Sequence, residues 1–204
     1  MFEKYLDRSM SFSEYLALID RLLIDGKTTG PNQSEAMYGY GKINRRRMAR
    51  IVKTLELEPE IASAVALSDV DTTWLVITEG WCGDAAQNIP VIEKVAAANH
   101  HIATRYILRD EHPELMGRFL TDGSRSIPKL IGIDNATGKV LGTWGPRPEA
   151  AQEYFREMRA AGVASSLLHE NLQRWYLADR GRSVQFEIAK LLSEWSRQNL
   201  AKAA

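Results

Sequence analysis

The chain predicts an α/β fold, a mixed central sheet flanked by helices, with additional helices at its N- and C-terminal ends. Three observations carry that expectation. Short apolar, β-branched runs alternate with helix-like stretches through the middle of the chain. The tetrad Gly80-Trp81-Cys82-Gly83 joins the first of those runs to a helix. On either side of this region the periodicity is helical alone. Residues 1–70 are therefore expected to form a helical extension, 71–152 the α/β core, and 153–204 helices packed on that core.

The elements follow in order. Ser11 and Glu14 have the spacing of a capping box, and Tyr15, Leu18, Ile19, Leu22 and Leu23 then share one helical face up to a stop at Gly26. Thr28 to Gly41, rich in Gly, Pro, Asn and Ser, is expected to be a loop. A second helix from Ile43 to Leu55 would turn Ile43, Met48, Ile51, Val52 and Leu55 inward, and Pro59 suits the first turn of a third. Trp74 to Thr78 is a buried strand by composition. Asp84 to Ala98 follows as a helix containing Pro90, then a strand from His101 to Leu108 and a short helix from Pro113 to Leu120. Lys129–Ile133 and Lys139–Thr143 flank Asp134-Asn135-Ala136-Thr137-Gly138, a hairpin signal. Beyond Pro148 the chain is helical again. Leu167, Leu168, Leu172, Trp175 and Tyr176 form one apolar stripe. Val184, Ile188, Leu191, Leu192 and Trp195 form another, which Ser183 could cap.

The bulk composition narrows the function classes. With 26 basic and 26 acidic residues the formal net charge is zero, which gives no support for nucleic acid or an anionic membrane as partner. Arg45, Arg46 and Arg47 spread around a helix and are expected to form a solvated face. No apolar run approaches the ~20 residues of a membrane span, and the first residues lack the apolar core of a secretory signal. A cytoplasmic location is expected. The single cysteine excludes an intramolecular disulfide. Adjacent His100 and His101 do not have metal-ligand spacing, and no metal is expected.

Three motifs in sequence resemble the thioredoxin family over roughly Asp71 to Gln152. Trp81-Cys82-Gly83-Asp84-Ala85 is similar to the Trp-Cys-Gly-Pro-Cys motif. Pro90 stands at the offset where the family kinks its active-site helix. Ser126-Ile127-Pro128, just before a strand, is similar to the family's cis-proline element. The resemblance implies a thioredoxin-like core, with Cys82 as the catalytic thiol and Trp81, Gly83, Asp84, Ile127 and Pro128 around the substrate. The departures are equally specific. Ala85 replaces the resolving cysteine, Asp84 the intervening proline, and Val76 the buried aspartate that many members carry.

The chemistry follows from those residues. A cysteine in the first turn of a helix has its thiolate favoured by free backbone N–H groups and the helix dipole. The Asp84 carboxylate opposes a second negative charge there. Without a second thiol, attack on a disulfide stops at the mixed disulfide until an external thiol, glutathione among the candidates, completes the exchange. Arg125 is placed by sequence to contact an acidic ligand; the charged run Arg109 to His112 is expected to be a solvated connection.

Two readings stand at this level. One is a single-thiol exchange protein acting through Cys82 on a protein disulfide or an external thiol, with no resident cofactor. The other is a non-catalytic peptide- or protein-binding module using the Trp81–Pro128 groove. The Trp195 stripe is expected to pack in the core, with a homodimer surface as the alternative.

Overall fold

The computed structural model describes residues 2–203, with side chains through residue 197. Helices α1 (Glu3–Leu6), α2 (Phe12–Ile24), α3 (Glu35–Thr54) and α4 (Pro59–Ala66) precede β1 (Thr72–Thr78). Then come α5 (Gly83–Ala96), β2 (Ile102–Leu108), α6 (Pro113–Met116), β3 (Lys129–Asp134) and β4 (Val140–Trp144). Helices α7 (Glu149–Ala160), α8 (Ser165–Asp179) and α9 (Arg182–Ala203) come last. The sheet order is β2-β1-β3-β4. β1 runs parallel to β2 and antiparallel to β3, and β3 pairs antiparallel with β4. This is the mixed α/β architecture that the alternating strands and helices predict.

Local chemistry explains the boundaries. Ser11 caps α2 by accepting from Glu14 N, while Glu14 accepts from Ser11 N, and Gly26 takes a positive φ just beyond the helix. β1 lies between two strands, and Trp74, Leu75, Val76 and Ile77 on both its faces are fully buried. That is why this run is continuously apolar instead of alternating. In the hairpin, Asp134 Oδ1 accepts from Thr137 N, and Gly138 supplies the left-handed residue before β4.

Helix α3 departs from expectation. It begins at Glu35, capped by Ser34, so half of the expected loop is helical. Its buried face runs through Gly41, Asn44, Met48 and Ile51, whereas Ile43 and Val52 are 46% and 47% exposed. The register is set by a polar residue: Asn44 is fully buried and donates to Gly80 O at 3.2 Å. At the start of α9 it is Asp179, not Ser183, that satisfies the free donors, accepting from Ser183 N and Oγ.

One hydrophobic cluster draws on the N-terminal helices, the sheet, α5 and α9 together. Trp195 anchors α9 by seating its ring against Gly132 of β3 and Gly142 of β4. A Cβ at Gly132 would collide with its ring, and one at Gly142 would stand 2.7 Å from its Nε1. The apolar stripe of α9 is thus covered within the chain. A second, smaller cluster of Ala151, Leu172 and Tyr176, joined by Phe155 and Trp175, holds α7 against α8.

Candidate functional site around Cys82

Cys82 is the N-cap of α5, where β1 delivers the chain to the helix through Glu79-Gly80-Trp81. Its sulfur accepts from Ala85 N at 3.5 Å and donates to Ile127 O at 3.4 Å. The Ile127–Pro128 peptide bond is cis, and its loop faces the thiol. Cys82 is only 8% exposed, and Ile127 and Pro128 are buried. Burial, with the Asp84 carboxylate second, pushes the thiol from its ordinary 9.0 up to about 12. Backbone N–H groups at Ala85 and Asp84 and the Arg147 guanidinium act the other way and are outweighed.

Asp84 is turned inward. Its Oδ2 lies 2.7 Å from Arg147 Nη2, and its Oδ1 accepts from the Tyr176 hydroxyl at 2.9 Å. Tyr176 in turn accepts from Asn88 Nδ2, which also donates to Pro146 O. Arg147 stacks over Phe155, 4.1 Å from the ring centroid, and donates to Gln152. Burial and the neighbouring carboxylate hold the Tyr176 hydroxyl well above its ordinary value, so it stays a donor. Gly83 and Gln87 meet Gln173 of α8, Gln87 through a 2.8 Å hydrogen bond. Helix α8 and the Pro146–Arg147 loop therefore cover the first turn of α5. Asp84 and Gly83, expected to face substrate, face these elements.

On the other side, Trp81 is half-buried with the Arg109 guanidinium 4.8 Å above its ring. Arg109 pairs with Asp110 at 2.8 Å, and the half-exposed Arg125 approaches the same carboxylate at 4.0 Å. Arg125 thus stands on the Trp81 side of the site and shares Asp110 with Arg109. The expected solvated run at Arg109–Asp110 is instead a wall of this shelf.

Beneath it lies a group that sequence reasoning missed. Glu79 is fully buried and accepts from Asp110 N at 2.9 Å, and desolvation raises its carboxyl above the ordinary value. Tyr15 of α2 stacks on Tyr106 and meets Thr78 Oγ1 at 3.2 Å. Burial raises its hydroxyl as well, with the nearby Glu79 and Cys82 adding to the effect. A charged residue immediately after an apolar strand was the available signal for Glu79. Nothing local announced Arg147, Tyr176 or Asn44, whose roles depend on partners far along the chain.

The arrangement brings Cys82, Trp81, Ile127 and Pro128 together around one sulfur. Val76, in the position of the family's buried aspartate, is fully buried and apolar, and Ala85 lies beside the thiol. Among the described residues, no group of three or more His, Cys, Asp or Glu could hold a metal ion. Also among them, no helix is long and apolar enough to cross a membrane.

Comparison with known proteins agrees with this fold. A crystal structure of a protein of unknown function from Pseudomonas aeruginosa is similar at 17% identity and a TM-score of 0.56, covering 87% of this chain and 95% of that one. The crystal structure of an HIV epitope scaffold is similar at 14% identity and a TM-score of 0.57, covering 90% of this chain and 98% of the other. At such identities the likeness is one of fold. No curated protein matches the chain. A family model described as thioredoxin matches residues 30–159, taking in the Cys82 turn, the cis-proline loop and all four strands, and the chain belongs to the thioredoxin family.

Proposed function

We propose that this protein is a non-catalytic member of the thioredoxin family, a module that holds a peptide or protein segment against the Trp81 face. The observation that carries the reading is the state of the sulfur. Cys82 is buried, donates to Ile127 O, and is pushed up to about 12 beside Asp84. At neutral pH about one thiol in 10⁵ would be ionised, and the thiolate is the nucleophile. With Pro128 buried, the surface left open is the shelf of Trp81, Arg109 and Arg125. An aromatic ring beneath a guanidinium suits the anchoring of an extended segment.

The test is capture of a defined partner under reducing conditions. Cys82→Ala should leave its affinity unchanged, and Trp81→Ala should weaken it at least about tenfold. Loss of capture with the sulfur would overturn the reading.

Single-thiol exchange is the second reading. Its support is geometric: Cys82 caps α5 with Ala85 N directed at the sulfur, opposite the cis Ile127–Pro128 bond. Exchange would need an external thiol such as glutathione to resolve the mixed disulfide. Wild-type protein should reduce insulin negligibly on either reading. Under the second, Ala85→Cys should give Cys82 a resolving thiol and create measurable activity.

A further inference from the structure

A cleft of about 420 Å³ lies away from the sulfur, between the C-terminal end of α3, the middle of α5 and the α8–α9 junction. That size is within the range of about 300–1,000 Å³ used for small ligands. Gln87, Asn88 and Tyr176 contribute to its walls, and Arg50, Arg180 and Arg182 also line it.

Two features of this cleft are not explained by the fold. The first is its charge. Arg182 is paired with Glu58 at 2.7 Å, but among the described residues neither Arg50 nor Arg180 has an ion pair. Glu56 is the one other acidic residue lining the space, against those two free guanidiniums. Arg180 also holds a left-handed backbone, φ 57°, at the end of α8, a conformation usually left to Gly or Asn. The second feature is an acceptor. Asn88 is fully buried and uses its Nδ2 on Pro146 O and the Tyr176 hydroxyl, while its Oδ1 has no hydrogen-bond partner. A buried carbonyl oxygen without a donor is uncommon in a native structure, and this one lies behind the cleft wall.

We propose that this cleft binds a small organic anion. The anionic head, a phosphate or a carboxylate, is held between Arg50 and Arg180, whose planar guanidiniums suit either group. The site is separate from the Trp81 shelf, so failure here leaves the binding reading of that shelf intact.

The experiment is titration calorimetry at low ionic strength in a phosphate-free buffer. Glycerol 3-phosphate serves as the phosphate probe, malate as the carboxylate probe and glycerol as the uncharged control. At least one anion should bind at about 1 mM or tighter and glycerol should not. Arg50→Gln and Arg180→Asn should each weaken binding at least about tenfold, each melting within about 2 °C of wild type. Asparagine suits the left-handed backbone at position 180, so loss of charge is separated from backbone strain. Absence of binding by both anions up to about 10 mM, or unchanged affinity in either variant, overturns the proposal.

Discussion

Tyr176 donates its hydroxyl to Asp84 Oδ1 across 92 positions of sequence, at 2.9 Å, while Arg147 holds the other oxygen at 2.7 Å. The residue that occupies the place of the family's motif proline is thereby an internal tie. It fixes helix α8 and the Pro146–Arg147 loop to the first turn of the helix that Cys82 caps. Burial is the larger cause that keeps the thiol protonated, and the same carboxylate adds to it.

Tyr176→Phe removes the donor to Asp84 and the acceptor for Asn88 without changing the packing of the ring. A loss of about 1–3 kcal/mol in unfolding free energy is expected, because a buried carboxylate oxygen loses a partner. Hydrogen exchange at the start of α5 should quicken. Denaturant unfolding unchanged from wild type would show that the tie carries no stability.

Alkylation of Cys82 by iodoacetamide should be slow at pH 7 and rise about tenfold per pH unit through pH 10, as a thiol held at about 12 requires. Asp84→Asn removes the opposing charge and should lower the apparent pKa. Linkage gives the matching stability profile. The folded-state pKa lies above the ordinary 9.0, so the contribution of the neutral thiol is complete below pH 9 and is lost as pH rises toward 12. Cys82→Ala should remove that part of the alkaline decline. The buried tyrosines, shifted in the same direction, account for decline that both proteins share.

Glu79 gives the opposite experiment at the acid end. Its folded-state pKa is raised, so the neutral carboxyl stabilises the fold below the ordinary 4.5 and that contribution is lost as pH rises. Glu79→Gln keeps an acceptor for Asp110 N and cannot ionise. Its melting temperature at pH 7 should exceed wild type by about 2–4 °C, with the difference vanishing near pH 4. A lower melting temperature at pH 7 would mean that the charge is compensated.

Trp195→Ala should cost about 3–5 kcal/mol, the range for emptying a large aromatic site in a core. Gly132→Ala tests the same seat from the sheet side, where a Cβ meets the ring. Both should fall in denaturant midpoint, and a dimer-surface role for this face predicts little change in the monomer.

The strands were legible because each is a short β-branched or apolar run between clear turn residues, as at Trp74–Thr78 and around Asp134–Gly138. The helix start at Cys82 was legible from the abrupt change after Gly80. The inward face of α3 was not. Periodicity counts apolar residues, and it chose Ile43 and Val52, whereas Asn44 takes the buried position through its bond to Gly80 O. Likewise Asp84 has the sequence context of a helix-dipole residue, and only the folded chain brings Arg147 and Tyr176 to it. Polar burial is decided by distant partners, so a local pattern cannot show it.

The α7–α8 pair has its own apolar centre, and its ties to the first turns of α5 are polar: Tyr176 to Asp84, Gln173 to Gln87, and Arg147 just ahead of α7. Glycines with positive φ stand at both boundaries, Gly145 before and Gly181 after. The unit is therefore joined to the rest of the molecule by hydrogen bonds and two ion pairs, Arg147–Asp84 and Arg156–Asp122, while its apolar centre stays separate from the one beneath the sheet.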